Sequence, residues 1–222
     1  MTDTADLAHV LLRDRPLVVC DIDEVVFEFI SPFTAFLRAN HHDLLPRSFR
    51  LHGNIVSLLD GSEPDAAAIA DFQELFFATQ DQWQAPVEQA VETLASLAKD
   101  TDIVFLTAMP PRHQPIRRAL LDRFGLSFPM VATEEPKGPV VARLHGGRPL
   151  PVAFLDDIQR NLLSVREHVP DCFLITMMAN AAFRAFAPPP AGGIVSVEGW
   201  REAEKALRGH FSASAPRAGR PE

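Results

Sequence analysis

Six side chains in this sequence have types and positions suited to phosphoryl-transfer chemistry. Asp21 and Asp23 stand one residue apart, directly after the apolar run Pro-Leu-Val-Val-Cys at 16–20. A chain that coils as it leaves a strand can point two such carboxylates into one pocket. Held in different environments, they can keep different protonation states, as a nucleophile and an acid/base require. Taken alone, the pair serves equally well in a loop or cap. Asp156-Asp157 supplies two more carboxylates after Pro-Val-Ala-Phe-Leu at 151–155. Hard oxygen ligands of this kind suit Mg²⁺, which prefers octahedral geometry and keeps water and substrate oxygens as partners. A helix N-cap accounts for one of these acids but not readily for both. Thr107, after Asp-Ile-Val-Phe-Leu at 102–106, offers a hydroxyl and a backbone N–H to a phosphate oxygen, as any strand-end Thr can. Lys137, in Glu-Glu-Pro-Lys-Gly-Pro, begins an expected helix where its charge opposes the dipole. Neutralising carboxylate or phosphate charge is a task that would keep it there, although solvation is the default for a single lysine.

The elements that must position these groups are short, nearly continuous apolar runs at 16–20, 102–106, 151–155 and 172–175. Such runs describe strands buried on both faces. Between them lie crossover helices at 86–99, 112–124, 138–145 and 158–168. The first places Val87, Val91, Leu94 and Leu97 on one face, and the second ends before Gly125. Alternating β and α elements predict an α/β, doubly wound parallel sheet, in which ligands bind outside the carboxyl ends of the strands. Asp21, Thr107 and Asp156-Asp157 all fall at those ends. Residues 27–85 break the alternation. With Phe29, Phe33, Phe36, Phe49, Phe72, Phe76, Phe77 and Trp83 in helix-compatible surroundings, they read as a small helical insertion after the first strand, its aromatics forming its own core. The predicted organisation is a core of 1–26 and 86–208, an insertion of 27–85 and a disordered tail of 209–222. Pro-Pro-Pro-Ala-Gly-Gly at 188–193 reads as a loop before a last helix near 198–208.

Composition narrows the function classes. A formal net charge of −8 over 222 residues argues against nucleic acid as a partner, since backbone binding needs clustered Lys and Arg. It leaves room for a small phosphorylated metabolite held by local cations and a metal. The two cysteines, Cys20 and Cys172, lie in no ligand spacing, so a disulfide framework or structural zinc is not expected. The first residues lack a signal pattern and no apolar run approaches a membrane span, which predicts a cytoplasmic protein without membrane partners.

The four pieces in order, Leu-Val-Val-Cys-Asp21-Ile-Asp23, Ile-Val-Phe-Leu-Thr107, Lys137 and Val-Ala-Phe-Leu-Asp156-Asp157, resemble the motifs of the haloacid dehalogenase (HAD) superfamily. The resemblance spans roughly 16–176. It implies a HAD-like Rossmannoid core with a small helical cap after the first strand, and a Mg²⁺-dependent phosphatase acting on a small phosphate monoester. Asp21 would be the nucleophile that forms an aspartyl-phosphate, and Asp23 the acid/base. Asp21, the Asp23 backbone carbonyl and Asp156 would hold Mg²⁺ with Asp157 close by, while Thr107 and Lys137 would bind the phosphoryl oxygens. One departure stands out: the small Gly usual after the second Asp is Glu24, which could crowd or acidify the pocket or point to solvent. A phosphotransferase, or a non-catalytic binding or regulatory protein on the same fold, remains open. Arg38, His41, His42, Arg47, Arg50 and His52 make the insertion locally basic, better read as a solvated face than as an anion site. Arg112 and His113 are weaker candidates for a pocket rim.

Overall fold

The computed structural model describes residues 4–214. Its strands are β1 (Leu17–Cys20), β2 (His42–Leu44), β3 (Ile55–Ser57), β4 (Asp102–Thr107), β5 (Met130–Ala132), β6 (Val152–Asp156), β7 (Phe173–Met177) and β8 (Ile194–Val197). Its helices are α1 (Ile30–Ala39), α2 (Ala66–Ala78), α3 (Ala90–Leu97), α4 (Gln114–Arg123), α5 (Lys137–His145), α6 (Gln159–His168), α7 (Ala181–Arg184) and α8 (Trp200–Ser214). Six strands form one parallel sheet in the order β5-β4-β1-β6-β7-β8, the doubly wound arrangement expected from the alternating pattern.

Every residue of β1, β4 and β6 is buried, because helices cover both faces of the sheet. Val18, Cys20, Phe105 and Leu155 pack towards α3, α4 and α8, and Leu17, Val19, Leu106 and Phe154 towards α5 and α6. Each such side chain contributes about 1.5–3 kcal/mol by leaving water. Both cysteines are buried and free, and burial alone raises the Cys172 thiol to about 12. Among the described residues no helix is long and apolar enough to cross a membrane.

Register is what assembles the site. Cys20 lies opposite Phe105 on β4 and Leu155 on β6, and the Asp21 N–H continues the ladder to the Leu155 carbonyl at 2.8 Å. Asp21, Thr107 and Asp156 therefore emerge along one edge. The chain reverses its direction of travel across the sheet between β1 and β6, where a doubly wound fold opens its crevice.

Residues 27–85 gather α1, the antiparallel pair β2–β3, α2 and a 3₁₀ turn at Gln80–Gln82. Phe33 stacks on Phe29 at 5.2 Å and meets Phe76 edge-on at 5.2 Å, and Trp83 closes on Phe36 at 5.7 Å. Met178 and Phe183, from the segment after β7, join the same cluster and bind it to the core.

The structure corrects several expectations. The insertion is not wholly helical, because β2 and β3 have three residues each, too few to carry a periodic signal. Helix α3 begins only at Ala90, since Gln89 takes a left-handed φ of 65° that interrupts the expected 86–99 run. Strand β8 emerges directly behind the Pro-rich stretch, as an edge strand with only its end residues buried. Residues 209–214 of the expected tail are helical: α8 continues past 208 because Leu207 is buried and His210 stacks on Phe173 at 4.4 Å. The remainder of that tail, 215–222, lies outside the described residues.

Helices α5 and α6 pack closely, with Gly138 against Ser164. A Cβ on Gly138 would stand 2.2 Å from the Ser164 carbonyl oxygen, so the helices must part to admit one. Gly138→Ala is therefore expected to destabilise the fold by about 1–3 kcal/mol, read by thermal unfolding as a fall of roughly 2–4 °C per kcal/mol for a chain of this size. An unchanged melting temperature would show that the close approach is not required.

Candidate active site

At the carboxyl edge of the sheet lies a cavity of about 610 Å³ lined by Asp21, Asp23, Thr107, Lys137 and Asp157 among others. Asp156 sits beneath it with no exposure to solvent. Lys137, the first residue of α5, is the hub. Its buried ammonium donates to Asp21 Oδ1 at 2.7 Å and to Asp156 Oδ2 at 2.6 Å. Burial opposes its charge, but Asp156 and Asp21 outweigh that and hold the ammonium well above the ordinary lysine range. Asp156 also accepts from the Ile158 N–H at 2.8 Å and from Asn161 Nδ2 at 3.0 and 3.1 Å. Its carboxylate serves as the turn ligand from which α6 begins.

Oxygen atoms of Asp21, Asp156 and Asp157 lie within 4.8 Å of one another. With all three ionised, these carboxylates around one ammonium would leave a surplus of two negative charges, and the site resists that surplus. The Asp21 carboxyl is raised to about 7: burial is the main cause, Lys137 opposes it, and Asp156 and Asp23 add to it. Burial, followed by the charges of Asp156 and Asp21, lifts Asp157 well above the carboxylate range. A divalent cation coordinated by oxygen answers that surplus, so the donor set fits a hard metal ion such as Mg²⁺.

Asp23 belongs to a different circle. Its carboxylate turns from the trio and accepts from Arg117 Nη2 at 2.9 and 3.3 Å and from Gln84 Nε2 at 2.8 Å. The Asp23 carboxylate is thereby committed to Arg117 and Gln84 and is not one of the three that gather. Arg117 has no solvent exposure, and its Nε also donates to Gln80. Gln84 bonds the Glu28 carbonyl at 2.8 Å, so both chain segments that lead into and out of the insertion meet at Asp23. None of Arg117, Gln80 and Gln84 was singled out from the sequence. One signal was there to be read: Arg117, Leu120, Leu121 and Phe124 fall at i, i+3, i+4 and i+7, placing an arginine on the apolar stripe of α4.

Thr107 ends β4, 1% exposed, its hydroxyl accepting from the Met109 N–H at 3.1 Å. Glu24 neither reaches solvent nor stands free. It is 3% exposed in a left-handed conformation of φ 63°. Its carboxylate accepts from the N–H groups of Phe29 at 2.9 Å, Ile30 at 2.6 Å and Asn180 at 2.8 Å. It thereby caps α1 and ties the insertion to the segment after β7. Burial raises its carboxyl and those three donors lower it, with burial prevailing. Glutamine would set an NH₂ against backbone N–H groups, so Glu24→Gln is expected to cost about 1–3 kcal/mol, measured by denaturant unfolding. Stability equal to wild type would sink that account.

The basic residues of the insertion disperse. Arg38 pairs with Asp43 at 2.9 Å and Arg47 with Glu63 at 3.3 Å; of the group, only Arg50 lines the cavity. Arg112 does reach it, and its Nε holds Glu74 of α2 at 2.8 Å, while His113 approaches the same carboxylate at 3.1 Å. These two partners, Arg112 foremost, lower Glu74 to about 2.

Solved structures share this architecture. A conserved haloacid dehalogenase-like protein of unknown function from Agrobacterium tumefaciens aligns with a TM-score of 0.61 at 12% identity, over 87% of this chain and 98% of that one. A putative haloacid dehalogenase-like hydrolase from Burkholderia xenovorans aligns at 0.56 and 13%, over 89% and 98%. A HAD family hydrolase from Deinococcus radiodurans with bound phosphate and sodium aligns at 0.54 and 12%, over 89% and 95%. No family model and no curated relative matches the sequence. The fold is haloacid dehalogenase-like, as the ordered motifs led one to expect.

Proposed function

We propose that this chain is a Mg²⁺-dependent phosphatase that hydrolyses a small phosphate monoester through an aspartyl-phosphate on Asp21. The observation that carries the reading is the division of two aspartates, separated by a single residue, between two electrostatic circles. Asp21 sits among carboxylates and Lys137, whereas Asp23 is aimed separately by Arg117 and Gln84. A nucleophile and an acid/base need that separation.

Asp21, Asp156 and the Asp23 carbonyl are the groups that would hold Mg²⁺, with Asp157 beside them. When bound, the ion would neutralise phosphoryl charge and release Asp21 from its surplus of neighbours. Asp21 attacks phosphorus in line. Lys137 and the Thr107 hydroxyl and N–H take phosphoryl oxygens, stabilising the charge that builds in the transition state. Asp23 gives a proton to the departing oxygen and later removes one from the water that cleaves the acyl phosphate. Arg117 and Gln84 position the Asp23 carboxylate and take no proton themselves.

Asp21→Asn is expected to abolish Mg²⁺-dependent phosphate release from small esters while the protein stays folded; residual turnover at wild-type rate would end the reading. Independently of activity, Mg²⁺ should raise the melting temperature of wild type, and Asp156→Asn should remove that increment. A metal response equal in both proteins would exclude Asp156 as a ligand.

The positioning role of Arg117 has its own measurement. Asp23→Asn should lower kcat by about 10²–10⁴-fold, and Arg117→Met by roughly 10–100-fold with little change in KM, as misorientation of such a group costs. In the Asp23→Asn background, Arg117→Met should cost little more, because Arg117 works through Asp23. Additive losses would assign Arg117 to fold maintenance alone.

A further inference from the structure

We infer that the preferred substrate carries its phosphate on an apolar, ring-bearing alcohol rather than on a polyhydroxylated sugar; this rests on the phosphatase reading above. The argument is an accounting of polar groups in the 610 Å³ cavity, a volume typical of small-ligand sites. Once Asp21, Asp23, Thr107, Lys137 and Asp157 are assigned to phosphate and metal, the leaving group must meet what remains. Phe29, Phe77, Met109 and Phe183 line that space, and the partly exposed Phe49 and Leu51 join it from the segment between β2 and β3.

The polar groups there are mostly committed. Glu74 is held by Arg112 and His113, and Glu24 by three backbone N–H groups. The amide nitrogen of Asn161 is spent on Asp156. Among the described residues, and Asp157 of the metal trio apart, only the side chains of Gln73, Arg50 and Arg160 line the cavity without a hydrogen-bond or ion-pair partner, and both arginines are exposed. A sugar ring would bury several hydroxyls against phenyl and thioether surface, and each one left unpartnered weakens binding. An aromatic or alicyclic ring brings no hydroxyl that needs a partner, and an aromatic one gains edge-to-face contacts with the phenylalanines.

The test compares 2-phenylethyl phosphate with glucose 6-phosphate and glycerol 3-phosphate. All three release a primary alcohol, so intrinsic reactivity does not decide the ranking. Wild type with Mg²⁺ is expected to show kcat/KM roughly 30-fold or more in favour of the phenylethyl ester, the effect of about two unpartnered hydroxyls. Phe77→Gln, and separately Phe49→Ser at the partly exposed position, should narrow that preference by roughly tenfold. Equal or higher kcat/KM for the sugar phosphate overturns the inference, as does an undiminished preference in both folded variants. Acetyl phosphate, which needs no room in the cavity, separates the two levels. Its turnover without the preference leaves the phosphatase reading standing and removes the substrate class, and no turnover of any compound removes both.

Discussion

A single buried ammonium holds the centre of this structure. Lys137 reaches Asp21 at the end of β1 and Asp156 at the end of β6, the two strands that flank the crevice, within 2.7 Å of each. Charges so far from water cost several kcal/mol each to bury, and the attraction between them offsets this only when the geometry is tight. The geometry is therefore enforced from outside. Parallel register sets Asp21 beside Asp156, Gly138 lets α5 approach α6, and Asn161 and the Ile158 N–H fix the far side of Asp156. The same ammonium is one positive charge among three carboxylates, and the imbalance is what makes the pocket ready for a divalent cation.

Asp23 shows how neighbours in sequence are made chemically distinct. Its backbone stays at the site while its side chain joins a hydrogen-bonded set of Arg117, Gln84 and Gln80. Burying a guanidinium inside α4 is costly, and the set repays that by satisfying most of its donors at once. Because Gln84 also grips the Glu28 carbonyl, the orientation of Asp23 depends on where the two connecting segments of the insertion lie. Glu24 reinforces the linkage from the other side. The left-handed backbone that usually suits glycine carries a glutamate here, at a conformational cost of about 1–2 kcal/mol, and its three backbone hydrogen bonds offset that cost.

The insertion thus acts on the site in two ways. Its aromatic cluster, continued by Met178 and Phe183 from the core, anchors it over the carboxyl edge of the sheet. The same residue types then face the cavity, so packing that stabilises the insertion also sets the polarity a leaving group encounters. Polar side chains that line this region are largely paired with one another, most visibly Glu74 with Arg112 and His113.

By itself the sequence determined the alternation of elements and the strand ends at which Asp21, Thr107 and Asp156 emerge, because strands buried on both faces must be continuously apolar and the first polar residue marks the edge. Motif order also pointed to the fold. The chain could not disclose β2, β3 or β8, whose few residues carry no period and are strands only through the partner each pairs with. Nor could it show which carboxylates would gather. Asp21 and Asp23 look alike as a motif, and only the third dimension sends one to Lys137 and the other to Arg117, residues 116 and 94 positions away respectively. Arg117 left a trace as a charge on an apolar stripe, but its partners Gln80 and Gln84 lie in the insertion and left none. Glu24 read as a departure from a pattern; tertiary structure made it a cap, because the backbone donors it satisfies belong to α1 and to the segment beyond β7, which come together only when the core closes.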